Sequence, residues 1–65
     1  MSYGEAYKKI QRLFNEGGKD DPSTISYIRT KLMLKGIHPD KFNPDTEDQP
    51  QVIAILDKFI NNLLG

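Results

Sequence analysis

Tyr3, Ala6, Tyr7, Ile10, Leu13 and Phe14 recur every three or four residues, with Glu5, Lys8, Lys9 and Arg12 set between them. That period gathers the apolar residues on one stripe of an amphipathic helix, expected over about residues 2–16. Ser2 and Glu5 fit a capping box for its start, the hydroxyl serving an orphan amide while the carboxylate reaches back. Gly17-Gly18 supplies an expected stop, because glycine takes the left-handed conformation at a helix C-terminus without steric cost.

A second helix is expected over about residues 22–35. Asp21 offers an N-cap carboxylate, and Pro22 fills a first-turn position whose amide needs no partner. Ile25, Ile28 and Leu32 share one face, whereas Tyr27 and Leu34 project from nearly the opposite side, so this helix either packs between two others or offers a second apolar surface. Its charged side chains are all basic: Arg29, Lys31 and Lys35. Gly36 is the natural stop, with Ile37 placed for the hydrophobic contact that accompanies a glycine cap.

Pro39, Pro44 and Pro50 exclude a continuous helix through the next stretch, which reads as an ordered, proline-rich loop. Asp45, Glu47 and Asp48 collect at its end, where a third helix begins and its dipole favours negative charge. Asp48 is the expected N-cap; Thr46 with Gln49 is the competing box. Over about residues 49–64 the stripe Val52, Ile53, Leu56, Phe59, Ile60 and Leu63, widened by Ile55 and Leu64, suits contact with both other helices. The expected fold class is all-α: one small three-helix domain over residues 1–65. Its expected core is Tyr7, Ile10, Phe14, Ile25, Ile28, Leu32, Val52, Leu56, Phe59, Ile60 and Leu63.

With 65 residues the chain has room for one modest core and little volume for a water-excluding active site. It has no Cys, so disulfide staples and thiolate metal sites are excluded. Nine basic and nine acidic residues balance to zero formal charge, which disfavours nucleic-acid binding through overall positive charge. No charged-then-apolar leader and no apolar run near about twenty residues is present, so a soluble cytoplasmic protein without membrane contact is expected. The parts of an enzyme are missing: no Cys nucleophile, no supportable Ser/His/Asp set and no phosphate loop opening a helix. A non-enzyme without cofactor is therefore expected. The Asp45, Glu47, Asp48 cluster lacks the central glycine and terminal glutamate of an EF-hand loop.

The stretch most informative about function is His38-Pro39-Asp40-Lys41, which follows the basic helix and precedes the third one. A basic helix, a His-Pro-Asp loop and a bracing third helix in that order resemble a J-domain, and the resemblance runs from about Ile10 to Leu64. It implies a co-chaperone whose partner is a heat-shock chaperone ATPase. Arg29, Lys31, Lys35 and Lys41 would meet an acidic surface on that ATPase, and the His38-Pro39-Asp40 turn would trigger hydrolysis through polar contacts made by His38 and Asp40. The chain departs from the family pattern at Gly36, one residue more than usual before the motif, and at Arg29 and Phe59, which stand where an aromatic and a small residue are usual.

Other readings of the same residues stay open. His38 and Asp40 also suit an ordinary proline-containing turn, Asp40 as an Asx-turn acceptor, and a lone His has no second ligand with which to hold a metal. A generic helical adaptor would receive its partner on Tyr27 and Leu34, or on Ile37 and Phe42 of the loop. A helix-turn-helix DNA binder is the weakest alternative, given zero net charge and the long loop after the basic helix. Homo-oligomerisation is left open, since small chains often complete their cores between subunits.

Overall fold

The computed structural model describes residues 2–65, and among them the fold is all-α: three helices without a strand. Helix α1 spans Glu5–Arg12 and runs without a break into a π-helical turn over Leu13–Gly18, so the two form one rod. Helix α2 spans Pro22–Leu34 and α3 spans Pro50–Leu63, with a single 3-10 turn, Pro39–Lys41, in the loop between them.

The rod starts three residues later than its sequence suggests. Residues 2–4 pair with residues 46–48: Tyr3 and Glu47 form an antiparallel bridge, the Gly4 amide donates to the Thr46 carbonyl at 2.9 Å, and the Asp48 amide donates to the Ser2 carbonyl at 3.0 Å. Gly4 makes the turn from this pairing into α1 with φ of 81°, a conformation that favours glycine. A Cβ there would also stand 2.6 Å from the Pro44 carbonyl oxygen. The Ser2–Glu5 capping box consequently does not form. The Ser2 hydroxyl donates to Asp48 at 2.7 Å, and Asp48 itself receives the Glu5 and Ala6 amides at 3.0 and 2.9 Å.

Asp48 was expected to cap α3, but its carboxylate closes the first turn of α1. Gln49 stands at the α3 N-cap without a side-chain bond, and Pro50 occupies the first helical position, as its missing amide allows. Thr46 also serves the loop: its hydroxyl accepts from the Asn43 amide at 2.9 Å, while the Asn43 side chain accepts from the Asp45 amide at 2.8 Å.

The far end of the rod differs from expectation as well. Gly17 and Gly18 lie inside the π turn, and the left-handed residues are Lys19 and Asp20, at φ of 45° and 64°. Glycine is needed at position 18 for closeness: a Cβ there would sit 2.7 Å from Cγ1 of Ile25. Bonding from i to i+5 brings Leu13 and Gly18 to the same side, and both are buried. In an unbroken α-helix they would point about 140° apart.

Both ends of α2 follow the sequence. Asp21 accepts from the Ser23 amide at 3.1 Å and from the Thr24 hydroxyl at 2.8 Å. At the C-terminus Gly36, at φ of 81°, donates to the Met33 carbonyl and Ile37 donates to the Leu32 carbonyl, each at 2.9 Å, which is a Schellman motif. Its hydrophobic contact is present too, with Ile37 and Leu32 both in the core.

The core consists of Ala6, Ile10, Leu13, Ile28, Leu32, Ile37, Leu56 and Ile60. Tyr7, Phe14, Ile25, Val52 and Phe59, expected inside, are half-buried, and Leu63 is 42% exposed. Helix α2 packs on the π turn, and α3 packs on α1 and on that turn; α2 and α3 approach the rod more closely than they approach each other. An ion pair between Lys9 and Asp57 at 2.6 Å ties α1 to α3 across this arrangement. No helix among the described residues is long and apolar enough to cross a membrane.

Candidate functional site

Helix α2 buries one narrow stripe, so its two flanks have different fates. On one flank Arg29 turns toward the rod and the loop. Its guanidinium lies 5.6 Å from the Phe14 ring centroid and donates to Asp40 at 2.9 Å. Arg29 therefore links the rod to the 3-10 turn. It is half-buried, and its charge is already matched by a carboxylate.

On the other flank Tyr27, Lys31 and Lys35 face residues of α3 across an open groove of about 420 Å³. Ile28, Ile55 and Phe59 contribute its apolar surface, while Lys58, Asn62 and Leu63 complete the α3 side. The Lys31 ammonium rests 5.7 Å from the centroid of the Tyr27 ring, one helical turn away, and so stays over the groove wall. Three lysines line this groove and no carboxylate does. None of the three takes part in an ion pair among the described residues, whereas Lys9, Arg12 and Arg29 each have a carboxylate partner. A chain of zero net charge has thus sorted its charges locally.

The groove exists because α2 and α3 share the rod as their support. Ile55 and Phe59 sit on the edge of the α3 stripe turned away from the rod, and with α2 held off they are only partly covered. Tyr27 and Leu63 stand at 54% and 42% exposure on opposite walls, large side chains left partly open to solvent.

The residues singled out in the sequence are divided among three places. Lys31, Lys35 and Tyr27 are in the groove. Leu34, at 75% exposure, is on the same flank of α2 but outside the groove lining. The 38–41 segment forms a separate surface: His38 and Lys41 are exposed, Pro39 is half-buried as the first residue of the 3-10 turn, and Asp40 is held by Arg29 rather than by an Asx turn. Helix α2 ends before Gly36, so the additional residue there is absorbed by the left-handed turn and does not carry the helix on toward His38. Ile37 offers nothing to a partner, because the Schellman turn folds it into the core at 2% exposure. Phe42 packs against that core and is half-buried.

The α3 side of the groove was not singled out by sequence reasoning. The available signal was the excess width of the α3 stripe, attributed to contact with both helices; part of that width forms the groove instead. No group of three or more His, Asp or Glu able to hold a metal is found among the described residues. Comparison with protein-family models, with curated proteins and with solved structures returns no match to this chain.

Proposed function

We propose that the protein is a non-catalytic protein-interaction module whose binding site is the groove between α2 and α3. The observation that carries this reading is the groove itself, where exposed Tyr27 and Leu63 face each other over Ile55 and Phe59. Large apolar side chains in a concavity are what partner helices and peptides bury, and aromatic anchors commonly dominate such contacts. The test is site-specific photo-crosslinking in the native host, with the reactive residue placed at Leu63, at Met33 or at Lys41. A defined partner captured from Leu63 and not from Met33 supports the groove. Equal labelling from all three positions removes it.

A second reading retains the J-domain resemblance and places the contact at the 38–41 turn. What favours it is the His38 side chain, solvent-exposed and without a capping bond, beside exposed Lys41. In this reading the partner is a heat-shock chaperone ATPase, and Arg29 acts by positioning Asp40. Capture from Lys41 alone is the outcome that favours it over the groove.

A further inference from the structure

We infer that the groove between α2 and α3 takes one kind of occupant: an amphipathic helix of a partner protein, apolar along one face and acidic along its edges. This rests on the groove being the interaction site and adds the chemistry of what fills it.

Length supports a helix. The lining runs from Tyr27 to Lys35 on the α2 side and from Ile55 to Leu63 along α3, nine residues and so eight helical rises on each side. At about 1.5 Å per residue each wall is about 12 Å long, which matches about two turns of a partner helix. A helix of that length presents apolar residues at i, i+4 and i+7 along one stripe, enough to cover Ile55, Phe59 and the exposed faces of Tyr27 and Leu63.

Charge defines the edges of that helix. Lys31 and Lys35 rise on the α2 side and Lys58 on the α3 side. Their aliphatic stems extend the apolar walls while their ammonium groups stay at the water boundary. A partner bearing Glu or Asp beside its apolar stripe meets a cation on either side, whereas a basic partner brings like charges together as it desolvates. The same argument speaks against groove-to-groove pairing of two copies of this chain, since two grooves meeting about a two-fold axis would oppose lysines to lysines. A nucleic-acid strand would leave the apolar surface of Ile55 and Phe59 uncovered.

The experiment uses the full chain and two synthetic helical peptides of about four turns. Both carry Leu, Phe and Leu at i, i+4 and i+7; one has Glu at the flanking positions and the other Lys. Binding is followed by backbone and methyl NMR shifts at about 0.1 M salt, where charges are felt over about 10 Å. The Glu peptide is expected to shift Tyr27, Ile55 and Phe59 and to bind at least about tenfold more tightly than the Lys peptide. The triple variant Lys31→Glu, Lys35→Glu, Lys58→Glu, altered only at groove-rim side chains, is expected to reverse that preference while keeping its helical circular dichroism.

Equal affinity for both peptides, with shifts confined to the groove, overturns the acidic partner and leaves the groove as an interaction site. Shifts centred on His38 and Lys41, or no shifts with either peptide, overturn both. Dodecanoate is titrated as a third probe. If it shifts the groove residues and the Glu peptide does not, the groove is a site for a small amphipathic anion and the helix is overturned.

Discussion

The carboxylate of Asp48 accepts the amide of Ala6 at 2.9 Å, forty-two positions apart in the chain, and so closes a helix to which it does not belong. The Glu5 amide and the Ser2 hydroxyl share the same carboxylate. Partial burial pushes the Asp48 pKa upward, but hydrogen bonds from the Ala6 amide, the Ser2 hydroxyl and the Glu5 amide outweigh it, and the net shift is downward.

A carboxyl held below its ordinary value stabilises the fold fully above its unfolded pKa and loses that contribution as pH falls through the folded one. Asp48→Asn should therefore melt below the parent at neutral pH, and the gap should narrow on acidification below about pH 4. Thermal melts of both proteins across this range test the cap. A gap that stays constant into strong acid shows that the ionised carboxylate contributes nothing.

Gly4 and Gly36 form a matched pair, because both have φ of 81° while their surroundings differ. A Cβ on Gly36 meets nothing within 4 Å, whereas one on Gly4 stands 2.6 Å from backbone oxygen. Gly36→Ala should cost about 1–2 kcal/mol, the left-handed penalty alone. Gly4→Ala should cost more, since its clash cannot be relieved by a side-chain rotation. Urea denaturation gives both values, and equal costs would show that residues 2–4 do not hold their pairing with the loop.

Leu13 is fully buried in the π turn, and Leu63 lies 42% exposed on the groove wall. Leu13→Ala is expected to cost about 2–5 kcal/mol by cavity formation, a large share of what a domain this small possesses. Leu63→Ala should stay within about 0.5 kcal/mol. Comparable losses at the two positions would contradict the division between core and groove.

His38→Gln separates the two proposed contact surfaces. At an exposed position without a capping bond it should shift stability by no more than about 0.5 kcal/mol. If the J-domain resemblance carries function, the same change abolishes stimulation of a cognate heat-shock chaperone ATPase. If the parent protein gives no stimulation either, the groove is left as the site to pursue.

The three helices and both ends of α2 were legible because they follow local rules: apolar period, Asp-Pro at the start, Gly-Ile at the stop. Ile37 was marked for a packing contact by its place after Gly36, and that is where it lies. Asp48 was misassigned because it stands near two helix starts, one adjacent in sequence and one adjacent only after folding; a local reading sees the first. The π turn was invisible for a related reason, since Leu13 and Gly18 share a face only when the helical period changes. Half of the groove could be read from Tyr27, Lys31 and Lys35. The other half, on α3, depends on how far apart the rod holds the two helices, which no local pattern encodes.

That shared support has a mechanical consequence. Because α2 and α3 each lean on the rod and only lightly on one another, a small swing of either about its own contact line changes the groove width without unmaking a packed interface. Groove width is then expected to yield more readily than the packing of either helix on the rod, and millisecond exchange in NMR relaxation should concentrate at Tyr27, Ile55 and Phe59 while Ile10, Leu32 and Leu56 stay quiet. A surface that flexes there can fit side chains of different sizes at the expense of affinity for any one of them, and an occupant that locks the swing would be sensed at both helices together.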